Sequence, residues 1–153
     1  MKRVEKMKIL TKYFGEIEIL DDAIINFPGG LLGFEDSKDF VLIDMPGNSH
    51  FKFLQDIHKS YVSFVMINPW DFFENYDIEL SDIELEKIRV TSLKDDNFSI
   101  YNVVTLGKTF DLSSANLIAP VVINNNEKLG RQIIVDNPKY TTKHPLLQEG
   151  LGA

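Results

Sequence analysis

Between Ser113 and Asn124 the chain reads Ser-Ser-Ala-Asn-Leu-Ile-Ala-Pro-Val-Val-Ile-Asn, and no other stretch narrows the possible folds so far. Apolar residues run almost unbroken between polar ends, and Ile118, Val121, Val122 and Ile123 are β-branched. A run this short and this branched predicts a strand buried on both faces. Pro120 has no N–H to give to a ladder, which predicts a kink or bulge at Ala119-Pro120. Asn124-Asn125-Asn126 then supplies a turn, and Gly130-Arg131-Gln132-Ile133-Ile134-Val135 resumes the apolar run at hairpin distance. The two halves are expected to pair.

The rest of the chain repeats this grammar. Residues 13–27 read as a strand or bent pair of strands, because Ile17 and Ile19 alternate with Glu16 and Glu18 before Asp21-Asp22 offers a turn. Pro28-Gly29-Gly30 breaks the pattern, and a short helical turn over Glu35-Asp36-Ser37-Lys38 is expected to lead into a strand at Phe40-Val41-Leu42-Ile43, closed by a Pro46-Gly47-Asn48 turn. Residues 61–67 form a strand with apolar side chains on both faces. Asn68 as N-cap and Pro69 in the first turn predict a short helix through Phe73. Ser81 and Glu84 have the spacing of a capping box, and Leu80 and Leu85 that of a hydrophobic staple, so a helix is expected from Ser81 to about Lys87. Asp95-Asp96-Asn97 marks a turn before a strand from Phe98 to Leu106. The tail carrying Tyr140, His144, Pro145, Leu146 and Leu147 is expected to dock, and Gly150 to Ala153 to fray. About seven short strands without a visible parallel crossover, repeat or linker predict a mainly β fold, a small antiparallel β-barrel-like single domain over residues 1–153 with its core at about 8–147 and a few short helices.

Charge narrows the partners. The net charge is −7, with nineteen acids against eleven bases up to Asp96 and four against five beyond it. An acidic chain is repelled by nucleic-acid backbone and anionic lipid unless it carries a dense basic patch. The one such patch is Lys2, Arg3, Lys6, Lys8 and Lys12, near a terminus. Direct nucleic-acid binding is therefore not expected, and a basic protein partner is. Asp71, Glu74, Asp77, Glu79, Asp82, Glu84 and Glu86 fall within sixteen residues that contain no Lys or Arg, and this segment is the candidate surface for such a partner, against the plainer reading of a solvated face.

Chemistry is sparse by comparison. The chain has no cysteine, which excludes disulfides and thiolate sites. His50, His58 and His144 lack the spacing for joint metal ligation on one element. Gly29-Gly30-Leu31-Leu32-Gly33 lacks the Lys-Ser/Thr of a phosphate-binding loop. No apolar run is long enough for a membrane-spanning helix and no secretory signal is visible, so a cytoplasmic protein without cofactors or membrane contact is expected. Trp70, Phe72 and Phe73 read as core more readily than as anchors for a partner. Asn116, Asn124 and Gln132 read as satisfying backbone groups, and His144 with Tyr140 as closing the tail.

Five motifs in order carry a resemblance. They are Phe27-Pro28-Gly29-Gly30-Leu31-Leu32-Gly33-Phe34-Glu35, Phe53-Leu54-Gln55, Phe64 through Pro69, Ala115 through Asn124, and Gly130-Arg131-Gln132 followed by Tyr140 through Pro145. Together, over roughly residues 8–147, they resemble the flagellar assembly factor FliW family. Leu32 stands where the family loop usually has Pro, and Asp56 where a Ser is common. The resemblance implies a small β-barrel-like protein that is not an enzyme and binds flagellin in the cytoplasm; nothing in the sequence requires more than a monomer when free. It also implies binding to the RNA-binding translational regulator CsrA, whose repression of flagellin messenger RNA it antagonises, so that free flagellin sets the occupancy. Under this reading the acidic segment faces the regulator. Leu31, Leu32 and Phe34 face an amphipathic flagellin helix, against the plainer reading in which they plug one end of the barrel. The alternative from another class is a small β-barrel enzyme or ligand-binding protein with a pocket near Gly30–Gly33 and Asn116.

Overall fold

The computed structural model describes residues 3–91 and 97–147. Lys2, the turn expected at Asp95-Asp96 and the chain end from Gly150 lie outside the described residues.

Lys6–Leu10 (β1) and Glu16–Leu20 (β2) pair antiparallel as a separate two-stranded ribbon. Lys6-Met7-Lys8-Ile9 alternates Lys with apolar residues, and the burial of β1 follows that alternation, but the strand is not among those expected and pairs only with β2. Two charges of the expected basic patch face carboxylates within the ribbon, with Lys6 Nζ 3.6 Å from Glu18 and Lys8 Nζ 3.9 Å from Glu16. These pairs are solvated and contribute little to stability, but they leave less positive charge for a partner. The ribbon leans on the body through buried Ile9, through Phe14 packed edge-on against Phe53, and through the Lys12 N–H, which donates to Gln55 Oε1 at 3.1 Å.

After a 3-10 turn at Asp21–Ala23 come Ile25–Asn26 (β3), Asp39–Met45 (β4), Asn48–Asp56 (β5), Ser63–Ile67 (β6), Phe98–Thr105 (β7), Ser114–Ala115 (β8), Val121–Asn124 (β9), Leu129–Gln132 (β10) and His144–Pro145 (β11). Hydrogen bonding runs β7, β6, β5, β4, β3, β10, β9 and returns to β7, with β8 and β11 continuing from β7. The result is a mainly β, barrel-like ring. Seven strands cannot all alternate in direction around a ring, so one joint has to be parallel. It falls between β3 and β10, where Leu129 faces Asn26 as a single pair. Every other joint of the ring is antiparallel, as expected, and the parallel one is its thinnest.

The run at 113–124 is two strands rather than one kinked strand. Both lie on the same edge of β7: β8 pairs with Val104 and Thr105, and β9 pairs with Phe98 through Tyr101. Between them the chain leaves the ladder after Asn116, whose N–H still donates to Val103 O, because Asn116 Oδ1 accepts the N–H groups of Ile118 and Ala119 and Pro120 has none to offer. Ile133 and Val135 donate to the carbonyls of Pro120 and Ile118 instead. The β9–β10 hairpin pairs as expected, from Asn124 opposite Leu129 to Val121 opposite Gln132.

Alternation along the strands sorts the core. Leu54, Met66, Val121 and Ile123 share one cluster with Phe27, Leu31 and Phe40, while Phe51, Phe53, Val65 and Ile67 pack on the other side with Phe73, Tyr76, Leu117 and Leu146. The short helix Asp82–Glu86 (α1) lays Leu85 over Val122, with Ile88, Val90 and Ile133 beside it, which is why β9 is buried on both faces. Ser81 is the N-cap residue of α1 but makes no side-chain cap bond, so the expected capping box does not form; Glu84 is drawn away to Arg131 and Lys87. Leu80 and Leu85 do share a cluster, as a staple requires. The segment Glu35–Lys38 is a turn rather than a helical one. At Asn68 the side chain caps Trp70 N at 3.0 Å and opens a 3-10 turn over Pro69–Asp71.

Candidate functional site

Asp71, Glu74, Asp77, Glu79, Asp82 and Glu86 are all exposed. The segment that carries them is held from beneath. Tyr76 is buried and its hydroxyl donates to Leu117 O at 2.6 Å, while Asn102 Nδ2 donates to that hydroxyl at 3.3 Å. Burial pushes the Tyr76 phenol up to about 12, opposed in part by the Asn102 hydrogen bond. Trp70 Nε1 donates to Tyr76 O at 2.9 Å, and Asp77 N donates to Tyr140 Oη at 2.7 Å. The backbone of the segment is thus pinned through Tyr76 and Tyr140 while its carboxylates point outward.

Those carboxylates differ in their neighbours. Asp71 lies 3.2 Å from the His50 ring. Glu84, the least exposed, bonds Arg131 Nε with one oxygen and lies 3.2 Å from Lys87 Nζ with the other. The hydrogen bond from Arg131, aided by Lys87, holds its carboxyl below the usual range. Among the described residues, no cation lies within ion-pair distance of Glu74, Asp77, Glu79, Asp82 or Glu86. Five unanswered carboxylates on one short segment attract an incoming basic surface over a range of about 10 Å at ordinary salt.

The glycine-rich loop divides its apolar residues. Leu31 is buried in the core, whereas Leu32 and Phe34 are 51% and 44% exposed. Phe34 N donates to Leu31 O at 2.7 Å with Gly33 at φ +83, the arrangement of a type II turn with Leu32 as its second residue. Leu32 N donates to Gln132 Oε1 at 2.9 Å, a bond that a proline there cannot make. Phe34 leans edge-on against Phe64 at 5.0 Å. The plug and the contact readings therefore fall on different residues, with Leu31 filling the interior and Leu32 and Phe34 facing out.

The remaining candidates are structural. Gln132 Nε2 bonds Ala119 O, and Asn124 bonds the carbonyls of Ile88 and Arg89 while accepting from Asn126 and Glu127. Asp56 Oδ1 accepts from His58 N and Lys59 N, a turn-capping task that a serine hydroxyl also performs. His144 stands edge-on to Phe73 at 5.2 Å and near Tyr140, and Leu146 is buried, so the tail docks as expected. Of the three aromatics at 70–73, Phe73 is core and Phe72 packs against it, but Trp70 remains 40% exposed. Among the described residues no group of three or more His, Cys, Asp or Glu is placed to hold a metal ion.

Clefts among the described residues include the following three. One of about 570 Å³ lies between Trp70–Tyr76 and the tail at Lys139, Tyr140 and His144. A second, about 380 Å³, lies between Trp70 and the start of β7. The third, about 460 Å³, is an apolar trough lined by Tyr13, Phe14, Phe51, Phe53, Leu106 and Phe110 among others. Neither Gly30–Gly33 nor Asn116 lines any of the three. The trough draws on four separate segments, so sequence offers no sign of it beyond Leu106 and Phe110 standing among polar neighbours along the chain. No helix among the described residues is long and apolar enough to cross a membrane.

Comparison with known proteins places this architecture. The family model described as FliW protein matches residues 8–146. The flagellar assembly factor FliW of Geobacillus sp. strain WCH70 is 41% identical over 143 residues, covering 94% of this chain and 97% of the relative. That of Bacillus subtilis strain 168 is 32% identical over 140 residues, covering 92% and 96%. A crystal structure of the flagellar assembly factor FliW superposes with a TM-score of 0.86 at 40% identity, covering 94% of this chain and 99% of the other. With motif order, ring topology and near full-length identity in agreement, the chain belongs to the FliW family.

Proposed function

We propose that this chain is a flagellar assembly factor that works in the cytoplasm by binding rather than catalysis, holding flagellin or the translational regulator CsrA according to how much free flagellin is present. Family membership over nearly the whole chain is the observation that carries the reading. The surface supports it. Exposed carboxylates at Asp71, Glu74, Asp77, Glu79, Asp82 and Glu86 suit a basic RNA-binding protein, speeding encounter and raising its salt sensitivity. Leu32 and Phe34, exposed and set on a hydrogen-bonded turn with buried Leu31 beneath, suit the apolar stripe of a helix from flagellin. A fixed turn loses little freedom on binding, which favours affinity.

Antagonism then follows from mass action. Capture of the regulator lowers its free concentration and relieves repression of flagellin messenger RNA, while accumulated flagellin withdraws the capturing protein. The test is pairwise calorimetry of the purified chain with flagellin and with CsrA. One-to-one binding to each at micromolar concentration or tighter is expected; binding to neither refutes the reading.

A further inference from the structure

Three successive residues of β10 grip three positions of the glycine-rich segment. At Gly130 the Phe27 ring lies so close that a Cβ built on the glycine would stand 2.3 Å from it. At Arg131 the guanidinium rests over Gly29, with Nη1 3.3 Å from where a Cβ would be. At Gln132 the side-chain oxygen takes the Leu32 N–H at 2.9 Å, while its nitrogen is anchored on Ala119 O at 3.0 Å. The same Arg131 reaches the opposite way to bond Glu84 of α1 through Nε. One guanidinium therefore bonds the acidic helix and stands beside the base of the loop, near enough that a side chain at position 29 would crowd it.

We infer that Arg131 and Gln132 are positioning residues that couple the Gly29–Phe34 loop to helix α1, so that a cation engaging Glu84 loosens the loop and weakens its hold on an apolar partner. The inference rests on the proposed function for which partners arrive at each face, but not for the coupling itself. Arg131 is only about one-third exposed on its side chain, as is Glu84, so the pair is partly shielded from solvent and sensitive to a competitor. Drawn off by an incoming Lys or Arg, Glu84 no longer fixes the guanidinium, and the contact at Gly29 loses its support. The loop then retains its own bonds, Gly30 N to Phe27 O, the Leu31–Phe34 pair and Gly33 N to Glu35, together with the Leu32–Gln132 bond. The loosening is therefore a local opening at the Leu32–Phe34 tip while buried Leu31 stays in place. Coupling of this kind is reciprocal: a ligand that orders the loop strengthens the Arg131–Glu84 pair and disfavours the basic partner.

Amide hydrogen exchange of the full chain reads this directly. In Glu84→Gln, exchange at Leu32 and Phe34 is expected to rise at least about fivefold, the lower end of ordinary coupling, while amides of β5 and β6 keep their rates. Lys87→Ala removes the other cation from Glu84 without touching the loop and is expected to leave those rates unchanged. Gln132→Ala exposes the Leu32 amide outright and sets the upper limit. Added polylysine, as a partner-independent cation, is expected to raise loop exchange in the wild type and not in Glu84→Gln. Loop rates that ignore Glu84, or that rise in step with β5 and β6, overturn the inference. The experiment needs neither flagellin nor CsrA, so a coupled loop in a protein that binds neither refutes the functional reading and leaves this one standing.

Discussion

Tyr76 is the pin beneath the acidic segment, and its replacement by Phe tests that role through pH. The Tyr76 hydroxyl donates to Leu117 O at 2.6 Å and accepts from Asn102 Nδ2 at 3.3 Å. Removing it strands a buried carbonyl and costs about 1–2 kcal/mol near pH 8. Alkali changes the comparison. Burial raises the Tyr76 phenol from 10.0 to about 12, so between those values the unfolded chain has released the proton and the folded chain still holds it. A folded-state pKa that is raised gives stability fully present below pH 10 and lost as pH climbs towards 12. At pH 11 the loss is about 1.4 kcal/mol, one factor of ten in the proton-binding ratio. Tyr76→Phe lacks that titration, and every other group titrates alike in both proteins. The stability gap in urea denaturation is therefore expected to shrink from about 1–2 kcal/mol at pH 8 to near zero at pH 11. A gap of the same size at both pH values refutes the reasoning.

Two further predictions concern the surface. Reversing Glu79, Asp82 and Glu86 to Lys together is expected to slow association with CsrA on the order of tenfold at low salt and much less at high salt, read by stopped flow; an unchanged low-salt association rate contradicts the assignment of this face. Leu32→Asp is expected to weaken flagellin binding on the order of tenfold while unfolding stability moves by no more than about 0.5 kcal/mol, because Leu32 is half exposed. A parallel loss of thermal stability and binding would assign the residue to packing.

The parts of the fold that could be read from sequence are those whose stability is local. The β9–β10 hairpin, β6, β7 and α1 each carry their own periodicity and punctuation. β5 is the longest strand, yet His50, Lys52, Gln55 and Asp56 interrupt its apolar residues, and only packing between β4 and β6 makes a strand of it. β1 alternates but pairs only with β2. The parallel β3–β10 joint follows from the number of strands in the ring, a property no window of sequence displays. The same distinction governs the site. Exposure of the acidic residues was legible from their charge, since isolated carboxylates are rarely buried. That Leu31 turns inward while Leu32 and Phe34 turn outward depends on the turn closed at Phe34. The Glu84–Arg131 bond, across 47 positions of sequence, displaces the capping box that spacing alone favours.

The central claim is that this chain regulates by exchanging one protein for another. The most direct measurement is a three-component titration by size-exclusion chromatography with light scattering, in which flagellin is added to a preformed complex of the chain with CsrA. Release of CsrA in proportion to the flagellin taken up is the predicted result. A stable assembly containing all three proteins, or a chain that elutes alone throughout, would contradict the account.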